Sequence, residues 1–536
     1  MGIFVDLNVS RSVTKEEWDA VYQESLRLVE KLPFAEWGEK QIHGIKIPCL
    51  IRTKERTFDF GWLHKEEKTG WMADGDYETL SRAEDHFFPK ELDGDVEPDS
   101  GDALLGLIPA CTGYDYKDDI CAHTHSLFGN KTQGEPYHIY LLAVACMVES
   151  RLKEKAFVSG DITRGQLKNA CRTANAILGN PVELPARCDM GRFYERVSVL
   201  PLKESEKLSV FLHFYLGNHD AELGTFIRQK FSVASCAGYW KDRMNQTPVG
   251  TYGFSTSFKE YMTLGFDLAD LCGIVDFSHA LKEEPVEERY RKFICEVMKS
   301  KVYEKEKNTR DILEISQDEE APFSIYTYMA QFAFMGARNH KVDRYIPLEE
   351  VRSALRERLG PRCDTDKIID DFLKEDAAKD PVSEDNPELL EKYIDGRCEH
   401  MKQQEEQYDI SDSCYIPYYK AGNTFEPNLK EQCIKYFKFM TGILSEKDYA
   451  ALLEKSPQDR FLFLVKQNRS LFIRDIDWER IFSDIKEHKE SFGRYYPAVR
   501  VSITSESVRD LVRSIIVNDD LYAFLCAETR TGHGEG

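Results

Sequence analysis

Residues 139–148 are ten consecutive apolar positions, Ile-Tyr-Leu-Leu-Ala-Val-Ala-Cys-Met-Val. The run is too short to cross a membrane and too apolar to lie on a surface, so it predicts a helix buried on most sides. Pro136 stands just before it, where a first helical turn tolerates proline. Downstream, a short apolar run at 156–158 meets Gly160, Asp161 and a second helix signal. Thr163 and Gln166 have the spacing of a capping box. Leu167, Ala170, Cys171, Ala174, Ile177 and Leu178 then recur at helical intervals, and Gly179 and Pro181 close the pattern.

The amino terminus has a different period. Ile3, Val5, Leu7 and Val9 alternate with Phe4, Asp6 and Asn8, which predicts a half-buried strand. A capping box at Thr14 and Glu17 opens a helix carrying Trp18, Val21, Tyr22, Leu28 and Val29 on one face. Further strands are expected at 45–51 and 58–63, with Trp37, Trp62 and Trp71 as core candidates.

Helical patterns follow at 189–199, 204–216, 221–231, 258–271, 284–306 and 323–337, with a turn and short strand at 250–257. Residues 348–359 and 364–373 read as a hairpin around Gly360 and Pro361. A polar helix is expected at 389–408. After it come helices at 429–444, 446–453, 458–467 and 477–488, a strand at 498–503, and two last helices. Acidic breaks interrupt the pattern at 91–102, 308–322 and 374–388. The expected fold is mainly α and multi-domain: a small α+β module at 1–92, a central helical domain at 103–307, a hairpin region at 323–373, a C-terminal helical domain at 389–529 and a disordered tail at 530–536.

Composition narrows the partners. The chain has 536 residues, 71 Lys plus Arg against 93 Asp plus Glu, and a net charge of −22. Such a surface repels phosphate backbones and anionic lipid, so no direct nucleic-acid or membrane binding is expected. The second helix of the 348–373 hairpin carries Asp364, Asp366, Asp370 and Asp371, the wrong charge for a DNA groove. The 14 cysteines are scattered without any CxxC, as in a reduced cytoplasmic protein.

Two groups of residues remain for chemistry. Cys121, His123 and His125 occupy alternate positions, so a strand would place all three on one face, and Asp119 adds a carboxylate. That donor set suits zinc, though a polar loop with two surface histidines explains it as well. Asp161 and Arg164 flank a helix start, where free N–H groups and a guanidinium suit an anion or substrate; simple capping accounts for the rest of that segment. Elsewhere Asp475, Asp477 and Glu479 read as a helix N-terminus, and His213 and His219 as packing residues. The acidic break at 91–102 fails the calcium-loop order, with Pro98 and Leu104 where Gly and Glu belong.

No catalytic motif of high specificity is present, and the balance leans away from an enzyme. The leading expectation is a non-catalytic interaction or regulatory protein with a helical scaffold and a protein partner. One alternative is a metal- or phosphate-dependent hydrolase or transferase using His123, His125 and Asp119 as ligands and Asp161 with Arg164 at the substrate. Another is an acidic decoy that mimics nucleic acid.

Overall fold

A computed structural model of the chain describes residues 2–61, 67–108, 124–279, 284–305, 309, 315–322, 339–378, 408–501, 503 and 506–531. Within them the chain runs β1 (Val5–Ser10), α1 (Lys15–Lys31), β2 (Phe34–Ile42), β3 (Ile45–Arg52), β4 (Arg56–Asp59), β5 (Glu67–Asp76), β6 (Arg82–Pro89) and β7 (Thr124–Ser126). Next come α2 (Tyr137–Leu152), β8 (Ala156–Gly160), α3 (Arg164–Asn175), α4 (Met190–Ser198), α5 (Glu204–Phe214), α6 (Ala221–Lys230), α7 (Val233–Met244), α8 (Tyr252–Thr263), α9 (Leu268–Ile274) and α10 (Val286–Lys299). The remaining helices are α11 (Leu348–Leu359), α12 (Thr365–Ala377), α13 (Pro427–Thr441), α14 (Lys447–Leu453), α15 (Pro457–Gln467), α16 (Asp475–Glu487), α17 (Phe492–Arg500), α18 (Glu506–Val517) and α19 (Asp519–Thr531). The fold is mainly helical, with a strand-rich region near the amino terminus. No helix among the described residues is long and apolar enough to cross a membrane.

The chain forms two compact units and passes between them more than once: Met1–Leu28, Pro89–Gly129 and His138–Ile394 make the first, and Val29–Phe88, Asn130–Tyr137 and Asp395–Gly536 the second. In the first unit β1 is the centre of a three-stranded antiparallel sheet, β7-β1-β8. Val5, Leu7 and Val9 are fully buried, as the alternation predicts. The α1 box is made: Glu17 N–H donates to the Thr14 hydroxyl at 3.2 Å and Thr14 N–H to the Glu17 carboxylate at 2.8 Å. In α2, Leu141 through Val148 are all fully buried, as expected of the apolar run. Phe193, Phe211 and Tyr215 stack in series, each pair of rings 5.6 Å apart.

The second unit pairs β2 antiparallel with β3 and β5, and β5 with β4 and β6. Its core holds Trp71, stacked on Phe88 at 5.1 Å, and Trp478 from α16 with Tyr495 and Tyr496 from α17.

Some segments depart from the reading above. Residues 252–263 are helix, because Phe254, Phe258, Tyr261 and Met262 form one buried helical stripe behind a Thr251 cap. Residues 492–500 are helix despite Pro497, with Tyr495, Tyr496 and Val499 buried. Helix α7 escaped the sequence reading; Cys236, Trp240 and Met244 at four-residue spacing and the Ser232 cap are its signature. So did β2, β5 and β6, whose glycines and charges blur the alternation. Trp62, the helix expected at 323–337, all of the helix expected at 389–408 except Tyr408, and residues 532–536 lie outside the described residues.

Candidate functional site

Asp119, Cys121 and His123 lie in 109–123, outside the described residues. His125 is on β7, half-buried and opposite Val9 of β1. Burial, then the charge of Arg11, holds its imidazole below the usual range against Asp93 and Glu97. It borders a cavity of about 360 Å³ with Arg11, Trp18, Lys90 and Asp93. No three His, Cys, Asp or Glu side chains among the described residues converge as a metal site.

Asp161 is set at the far end of the same sheet. Its carboxylate accepts the Phe4 N–H at 3.0 Å, and its own N–H donates to the Phe4 carbonyl at 3.0 Å. Five residues of β1 therefore separate it from the His125 level, about 17 Å at the usual strand rise. His125 and Asp161 also flank β1 on opposite sides, so these two side chains do not meet. Asp161 instead neighbours Asp6. Burial, then the Asp161 charge, pushes the Asp6 carboxyl up to about 6. Burial raises Asp161 as well, against the Phe4 hydrogen bond. The result is a half-buried acid pair.

Arg164 faces elsewhere. Its guanidinium donates to Asn218 at 3.4 Å and to Asp318 at 2.8 Å. Around it the acidic segment 316–321 binds the first turns of α3. The predicted capping box is present: Gln166 N–H donates to the Thr163 hydroxyl at 3.1 Å and Thr163 N–H to the Gln166 side chain at 3.3 Å. The same two side chains reach on to the segment. The Thr163 hydroxyl donates to the Glu319 carbonyl at 2.5 Å, and Gln166 Nε2 to the Ala321 carbonyl at 2.8 Å. Asn169 Nδ2 donates to the Glu320 carbonyl at 3.1 Å. The first N–H groups of α3, which no helical carbonyl can satisfy, go to Gln317: Gly165 N–H to its carbonyl at 2.7 Å and Arg164 N–H to its side chain at 3.4 Å.

Gly165 permits this approach, since a Cβ there would stand 2.5 Å from the Asp318 carbonyl oxygen. Arg172 pairs with Glu320 at 2.7 Å, and Lys168 stands 3.6 Å from Asp318. Arg164 and Arg172 hold the Asp318 and Glu320 carboxyls below their usual range. These pairs are solvent-exposed and screened, so they select for acidic residues more than they bind. The backbone bonds hold the segment.

A buried charge cluster lies elsewhere in the first unit. Arg196 forks onto Asp102 at 2.8 and 2.9 Å and reaches Glu149 at 3.5 Å. Glu149 also accepts the Val158 N–H at 2.8 Å. Arg196 donates to the Glu154 and Ala156 carbonyls at 3.0 Å and lies over the Phe157 ring. A cavity of about 370 Å³ opens beside Glu149 and Arg196. With every polar group paired, the cluster holds the fold together.

The reading of 163–178 from its apolar stripe missed Gly165, Lys168, Asn169 and Arg172. The signal was present: Arg164, Lys168 and Arg172 recur every four residues and mark a cationic face opposite the apolar one. In comparison with known proteins, the chain matches no family profile, no curated protein and no solved structure.

Proposed function

We propose that the chain is a non-catalytic interaction or regulatory protein whose α3 face docks an extended acidic peptide. The observation that carries this reading is the seat of 316–321 on Thr163, Arg164, Gly165, Gln166, Asn169 and Arg172. The contacts to carbonyls fit any extended backbone, whereas the three cations favour acids at alternate positions. The chain's own segment then acts as a tethered competitor, at an effective concentration on the order of millimolar. A partner's peptide gains the site by displacing it. The acidic surface supports a protein rather than a nucleic acid as partner. Buried free thiols such as Cys49, Cys146 and Cys236 support a reducing, cytoplasmic setting.

The test is fluorescence anisotropy with a labelled peptide of sequence 316–322. The receptor carries Asp318→Ala and Glu320→Ala, which weaken its own segment. Saturable binding that weakens with salt, and that weakens and loses most of its salt dependence in Arg164→Ala/Arg172→Ala, is expected. Affinity and salt dependence unchanged by the loss of both arginines would overturn the reading.

A further inference from the structure

Ser316 opens the docked segment and is exposed. Its hydroxyl accepts the Asp318 N–H at 3.2 Å, and its carbonyl accepts the Glu319 N–H at 3.1 Å, so 316–319 is a turn. The residues two, three and four places on are Asp318, Glu319 and Glu320. A protein kinase that selects serine followed by acids needs two handles: carboxylates on a cationic groove, and backbone it can extend. The α3 face holds both. Asp318 and Glu320 pair with Arg164 and Arg172. The carbonyls of Gln317, Glu319, Glu320 and Ala321 accept from Gly165, Thr163, Asn169 and Gln166. The two modes of binding exclude one another.

We infer that Ser316 is a phosphoacceptor for an acid-directed serine/threonine kinase, and that docking on α3 gates its modification. The Ser316 hydroxyl oxygen attacks the γ-phosphorus of ATP. The bond from that phosphorus to the β,γ-bridging oxygen breaks, ADP leaves, and the hydroxyl proton passes to the kinase's base. The product carries about two further negative charges beside Asp318. The inference rests on the segment's seat in its own chain, so peptide capture from a partner can fail while this stands.

The experiment treats the full chain with an acid-directed serine/threonine kinase and Mg·ATP and follows Ser316 by mass spectrometry. Wild type is compared with Gly165→Ala and with Ser316→Ala. Alanine strengthens a helix, so Gly165→Ala keeps α3 while its methyl group evicts the segment. Circular dichroism confirms the helix content. Ser316 should be phosphorylated on the order of tenfold faster in Gly165→Ala than in wild type, the effect of losing a few net hydrogen bonds. Arg164→Ala, which leaves the backbone of α3 intact, should shift the rate the same way. No phosphate on Ser316 in wild type, Gly165→Ala or Arg164→Ala overturns the acceptor, and equal rates in those three chains overturn the gate.

Discussion

The Thr163 hydroxyl serves two masters: it accepts the Gln166 N–H that begins α3 and donates to the Glu319 carbonyl of the docked segment. Thr163→Ala should therefore cost about 1 kcal/mol for the cap alone and loosen the segment as well. Thr163→Ser should restore both. Urea denaturation reads the first effect, and amide exchange at Gly165 the second.

The Asp6–Asp161 pair gives stability a pH dependence of definite sign. In the folded chain Asp6 titrates near 6 instead of 3.8, so folding favours its protonated form. That stabilising share is complete at low pH and is lost as pH rises from about 4 to about 6. Asp6→Asn mimics the protonated carboxyl at every pH. It should melt higher than wild type at pH 7, and the gap should close on acidification through that window. A gap that stays constant from pH 4 to 7 would contradict the raised Asp6 carboxyl.

Arg196 is 8% exposed and is the cation for both Asp102 and Glu149. Arg196→Ala leaves buried Glu149 and half-buried Asp102 without it and should destabilise the first unit by about 3–5 kcal/mol. Arg196→Lys cannot form the fork and should recover only part. Chemical denaturation of both variants measures this.

In the second unit the buried carboxyls of Glu36 and Asp74 repel one another. Arg56 forks onto Glu36 and Arg82 pairs with Asp74. Burial raises both carboxyls despite these cations. Arg56→Ala should lower the melting temperature more at pH 7 than in acid, where protonation of the raised carboxyls relieves the repulsion; melting curves of wild type and variant along a pH series measure this.

Local grammar was readable in the sequence where one segment satisfies itself. The Thr14 and Thr163 boxes, the buried α2 run and the β1 alternation all need only neighbouring residues. Pairing was not readable. Val9 finds His125 and Val5 finds Gly160, partners more than a hundred positions away that no periodicity encodes. The candidate site divides the same way. Arg164 showed as a residue beyond the needs of capping, but its partner Asp318 sat in what read as an acidic break. A boundary and a ligand have the same composition; only the fold distinguishes them. Helix 492–500 escapes the sequence for a related reason: Ala498 and Val499 read as the start of a strand, and only the packing of Tyr495 and Tyr496 decides for helix.

The central claim is that the α3 face is a site for an acidic segment, and Gly165 reports on it directly because its N–H donates to the Gln317 carbonyl. Hydrogen–deuterium exchange should be measured at the start of α3 in wild type and in a chain whose 316–321 is a Gly-Ser linker. The Gly165 amide should exchange faster in the linker chain and regain protection when the free 316–322 peptide is added. Protection unchanged by the linker, or not restored by the peptide, would contradict the claim.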